Sequence, residues 1–183
     1  MVPALVPAEL ASLTLVTMSC QRILQGVAAV LAILVTDAYA DGPYNKPQLC
    51  VQTCYESISS LTFGDYDPTL DYTTQRCDSP LLVSSVYACY DLRCSSQFTV
   101  DESFGGLNAY CKEYGSGPLN GTYEQVIQRV LAQYGSMDNV PTLDPSTVPF
   151  TEVLNNTIVA TTEYYDMAYK TLVSHNFLSS SLS

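Results

Sequence analysis

CVQTCYESISSL, residues 50–61, sets Val51, Cys54, Tyr55, Ile58 and Leu61 three or four apart, a spacing that lines one face of a helix. Cys54 falls in this apolar stripe and Cys50 lies one turn earlier on nearly the same side. Two thiols pointing the same way reach a neighbouring helix more readily than they reach each other. The next helical stretch is SPLLVSSVYACYDLRC, residues 79–94, where the Ser79 hydroxyl is placed to cap and Pro80 takes the first helical position. Leu82, Val86, Cys89 and Leu92 or Arg93 mark its faces, and Cys89 and Cys94 come from its last turns.

Around this pair the chain reads as further helices with irregular connections. DGPYNKPQ, residues 41–48, is a polar lead-in, and 64–76 reads as an acidic loop closed by Cys77. Thr99 and Glu102 have capping-box spacing before a short segment interrupted by Gly105 and Gly106 and ending at Cys111. A second capping box, Thr122 with Gln125, opens the clearest amphipathic run of the chain: Tyr123, Val126, Ile127, Val130, Leu131 and Tyr134, stopping at Gly135. Pro141, Pro145 and Pro149 impose an extended connection, and 153–160 reads as a short strand or irregular. Helical spacing returns over 162–172 with Tyr165, Ala168, Tyr169 and Leu172. The expected fold is mainly α: a small disulfide-stapled domain of about five helices over 41–175, with 176–183 a disordered Ser-rich tail.

Of the 183 residues, 47% are hydrophobic, and the formal net charge is −11. With no Lys/Arg cluster to set against that charge, binding to a phosphate backbone is excluded. The single His, His175, excludes any site that needs two imidazoles from one chain. VAAVLAILV, residues 27–35, follows Arg22 and ends in the small-x-small pattern Ala38-Tyr39-Ala40. This is a secretory signal, with residues 1–40 removed and translation expected to begin at Met18. Its apolar core is about half of the roughly 20 residues that span a bilayer. Loss of 1–40 takes Cys20 from the seven cysteines and leaves Cys50, Cys54, Cys77, Cys89, Cys94 and Cys111. In an exported chain these six are read as three disulfides whose pairing the sequence leaves open. Sequons at Asn120 and Asn155 fit a secreted glycoprotein, located outside the cell or on the outer face of the plasma membrane.

Catalytic patterns are wanting. Neither a Cys-x-x-Cys, a His-Glu-x-x-His nor a P-loop occurs, a Ser or Cys nucleophile has no well-placed base, and no spacing selects a carboxylate pair. Asp65, Asp67 and Asp71 suggest a cation loop, although a calcium loop would need Gly at its sixth position and Glu rather than Arg76 at its twelfth. The fourteen tyrosines suit core and rim packing; Tyr66 and Tyr72, beside those aspartates, are the candidates for a binding face or for loose cation capture.

The ordered set of Cys50-x3-Cys54, SISSLTF (57–63), Cys77, Ser79-Pro80, VSSVYACYDLRC (83–94) and GLNAYC (106–111) resembles the extracellular N-terminal region of fungal ferric reductase-like proteins. Tyr123-x2-Val126, LNNT (154–157) and YYDMAYKTL (164–172) extend the resemblance over roughly residues 44–175. It implies iron and copper uptake by a parent enzyme, an NADPH-dependent ferric-chelate reductase with a haem-bearing membrane domain and flavin- and NADPH-binding modules. None of those motifs stands in this chain, so the reading is a non-catalytic ectodomain without cofactor, a shortened member of that family, with the six cysteines as disulfide partners. Its implied partner is a membrane reductase domain or another cell-surface protein, with weak cation binding by the acidic loop. The alternative is a free secreted fungal protein acting as a binding module.

Overall fold

The computed structural model describes residues 44–180, with side chains to 175. The expected signal segment 1–40 and the last three residues lie outside the described part. Helix α1 (Lys46–Glu56) starts inside the stretch expected as lead-in. Asn45 and Gln48 form a reciprocal capping box and Pro47 sits in the first turn. Helix α2 (Tyr72–Asp78) corrects the expected loop at 64–76, and the described domain has six helices. Asp71 is its cap, accepting from the amides of Thr73 and Thr74, a signal that the acidic composition of the loop masked.

Helix α3 (Pro80–Arg93) is the central element. Every residue from Leu82 to Tyr90 is buried, because α1, α2, the later helix at 123–134 and the chain near 159–160 all pack against it. A helix buried on all sides must satisfy its polar side chains internally. Ser85 does so by donating to the Leu81 carbonyl at 2.8 Å and accepting from the Ile158 amide at 3.0 Å. Helix α4 (Val100–Tyr114) begins at the Thr99–Glu102 capping box and runs unbroken through Gly105 and Gly106, the expected interruption. Its buried stripe of Phe104, Leu107 and Cys111 and its long contact with α1 outweigh the low helix propensity of two glycines.

Helix α5 (Tyr123–Tyr134) begins and ends where expected: Thr122 caps it and Gly135 closes it at φ +78°, a left-handed backbone for which glycine is suited. Two short 3-10 turns and three two-residue strands fill 137–160, and a fourth such strand precedes α2. Strand β1 (Thr62–Phe63) pairs in parallel with β3 (Val153–Leu154), and β2 (Thr142–Leu143) with β4 (Val159–Ala160). Through them the Pro-containing connection closes back on the helices. Helix α6 (Thr162–Ser180) packs on α1 and continues eight residues past the expected end at Leu172. Residues 176–180 are therefore helical rather than an irregular tail; neither Gly nor Pro interrupts 162–180.

The disulfides join Cys50 to Cys94, Cys54 to Cys89 and Cys77 to Cys111, with Cα–Cα distances of 6.1, 5.7 and 5.7 Å. The first two are successive rungs between antiparallel α1 and α3, as the one-sided placement of Cys50 and Cys54 anticipates. The third ties the end of α2 to α4. Tyr165 of α6 brings its hydroxyl to 3.2 Å from the Cys50 sulfur, which seats the last helix on the outer rung.

Candidate functional site

The acidic loop places its three aspartates on three different tasks. Asp65 accepts from the Ser79 hydroxyl at 2.7 Å and the Leu81 amide at 2.8 Å, joining the loop to the start of α3. Asp67 closes its own turn by accepting from the amide and hydroxyl of Thr69. Asp71 caps α2 and also accepts from the Thr74 hydroxyl at 2.6 Å. The oxygens of Asp65, Asp67 and Asp71 start turns and helices, and among the described residues no group of three or more His, Cys, Asp or Glu is placed together as a metal site.

The Thr69 hydroxyl holds the Asp67 carboxyl below its ordinary range, and the Thr74 and Thr99 hydroxyls do the same for Asp71 and Glu102. A carboxylate whose folded pKa is depressed contributes stability that is present above its unfolded pKa and is lost as pH falls through the folded one. Thermal unfolding is thus expected to move to lower temperature as pH drops below about 4. Asp71→Asn, which keeps a capping oxygen, should unfold near the wild-type temperature at neutral pH and fall less steeply in acid. Parallel acid dependences for the two proteins would show that Asp71 contributes nothing through its charge.

Tyr66 and Tyr72 do gather a cation, and it is the chain's own. Arg76 is 6% exposed; its Nε and Nη2 donate to the Ser59 carbonyl at 3.0 and 2.6 Å. Its guanidinium carbon lies 3.2 Å from the Tyr72 ring centroid and 5.5 Å from that of Tyr66. The Tyr66 hydroxyl is buried without a hydrogen-bond partner among the described residues, and burial pushes its pKa upward against the pull of Arg76. The sequence signal for this cluster is Tyr72-x3-Arg76, one helical turn apart, which shows only once 72–78 is known to be helical. Arg76→Lys keeps the charge but loses the planar fork and the stacking. It is expected to cost about 2 kcal/mol in urea unfolding; a cost near zero would make Arg76 a spectator.

The other tyrosines divide between core and rim. Tyr87, Tyr90 and Tyr165 are buried, and burial pushes the Tyr87 and Tyr165 hydroxyls up to about 12. Tyr123 donates to the Asp91 carboxylate at the edge of an open cavity of about 450 Å³ that Phe98, Gln97 and Glu102 also line. A second groove, of about 540 Å³, runs along α5 beside Asn120. A smaller cavity of about 220 Å³ lies under Pro149, Phe150 and Tyr164, where Phe150 is 92% exposed. Both sequon asparagines, Asn120 and Asn155, are exposed.

Taken together, the fold and these sites define a small helical domain held by three buried disulfides, with no helix among the described residues long and apolar enough to cross a membrane. Comparison with known proteins finds no match to this chain, whether among family models, curated proteins or solved structures.

Proposed function

We propose that the chain is an exported, non-catalytic module of the cell surface: the outer domain of a fungal ferric reductase-like protein, facing away from the cytosol. The observation that carries the export step is the engagement of all six cysteines after residue 40 in three disulfides, a state that persists in oxidising compartments. The reductase assignment rests on the ordered sequence resemblance over roughly 44–175. In this reading the acidic surface weakly gathers cations near the reducing site, and haem, flavin and NADPH belong to other parts of the parent protein.

Sequencing the host transcript across and beyond the codon for Ser183 tests the assignment. An open frame running into apolar spans that carry paired His is the expected result. A stop codon directly after Ser183 overturns it in favour of a free secreted binding module. The fully presented Phe150 is the observation that favours that second reading, since a lone large ring held out by a Pro-containing loop suits contact with a partner.

A further inference from the structure

The groove along α5 adjoins a potential glycan attachment point. Gln125, Gln128, Arg129 and Ala132 recur at helical spacing on one exposed face of α5, and together with Asn120 and Gly121 they line the space of about 540 Å³. Among the described residues, neither the Gln128 nor the Arg129 side chain has a hydrogen-bond or ion-pair partner. Gln125 uses its carbonyl oxygen for the Thr122 amide at 3.3 Å, leaving its own amide hydrogens to the groove. Gly121 keeps the entrance clear: at φ +98°, a Cβ there would come within 3.2 Å of Val126 and 3.3 Å of the Arg129 guanidinium. The Asn120 side-chain nitrogen donates one hydrogen to the Asp78 carbonyl at 3.2 Å, which fixes the rotamer and leaves the other hydrogen as the position a sugar would take.

We propose that this groove is the bed for an N-linked glycan on Asn120, its first N-acetylglucosamine residues lying along Gln125, Gln128 and Arg129. The match is chemical. Sugar hydroxyls and acetamido carbonyls need both donors and acceptors, and a face of amides and one guanidinium supplies them without the desolvation cost of a carboxylate. Asn155 serves as the internal reference, because its side chain lies over Gly64 and none of the three cavities described above includes it. The inference rests on the export reading, since only an exported chain meets the glycosylating machinery.

The test is to produce the full chain in a eukaryotic secretory host and digest the folded glycoprotein with a peptide-N-glycosidase, following release at each sequon by mass spectrometry. Release at Asn120 is expected to be about tenfold slower than at Asn155. Joint substitution of the exposed Gln128→Ala and Arg129→Ala, or prior denaturation, should bring the two rates level. Equal rates in the folded wild type overturn the proposal, as does slow release at Asn120 that survives the double substitution. A glycan on Asn155 with none on Asn120 also overturns it. A chain recovered from the medium with neither sequon modified also overturns it, whereas a chain that stays in the cytosol removes the export reading instead.

Discussion

With Cys50, Cys54, Cys89 and Cys94 all replaced by alanine, the chain is expected to show no cooperative unfolding transition. The two rungs are nested, residues 54–89 lying inside 50–94, so their effects on the unfolded chain are unequal to two independent loops. Either rung alone closes most of the same loop. Opening only Cys54–Cys89 relaxes the short arms between the rungs and should cost roughly 2–3 kcal/mol. Opening both releases the whole loop and costs about 6 kcal/mol, comparable with the roughly 5–15 kcal/mol that holds a domain of this kind together. Near-ultraviolet circular dichroism and thermal melts of the three variants read the difference. If the four-alanine protein melts cooperatively within a few degrees of either single-rung protein, the helices hold each other without the staples.

Phe104→Ala is the second large effect, with an expected loss of about 3–5 kcal/mol. Phe104 is 1% exposed and joins three helices' aromatic rings. Its centroid lies 4.4 Å from Tyr87 in a stacked arrangement and 5.2 Å from Tyr90 edge to face, while Tyr123 of α5 tilts against the same two tyrosines. Truncation leaves a void that rigid rings cannot collapse into and forfeits the ring–ring contacts. Phe104→Leu keeps most of the volume and should cost less than half as much. Urea unfolding curves decide it; equal midpoints for the two variants would mean that the rings repack freely.

The parts of this structure that were legible in its sequence are those whose signal is local. Ser79-Pro80 and Thr122 with Gln125 marked helix starts that the structure keeps, because a cap is a contact between residues three apart. Cys50 and Cys54 revealed that they bridge to another helix through their shared face. The pairing itself was hidden, since it depends on how α1, α3 and α4 pack. Gly105 and Gly106 misled for the same reason: their propensity is local and the α1 contact that overrides it is not. Asp65, Asp67 and Asp71 were drawn together by spacing alone, whereas each finds a nearer hydroxyl or amide. The Asn120 sequon was visible, but the groove beside it required knowing which face of α5 the domain leaves bare.

The rungs between α1 and α3 also determine how tension would travel through the molecule. A pull applied at the two ends of the domain enters through the chain before Cys50 and crosses one covalent bond to Cys94, so the 44-residue span between them carries no load while that bond lasts. The hidden length, about 150 Å of extended chain, is released in full only when all three disulfides are reduced, because Cys54–Cys89 and Cys77–Cys111 still bypass most of the span once Cys50–Cys94 is opened. Under such a pull, stretch would be borne by the segments after Cys94, from α4 through α5 to α6, and the central helix would remain slack.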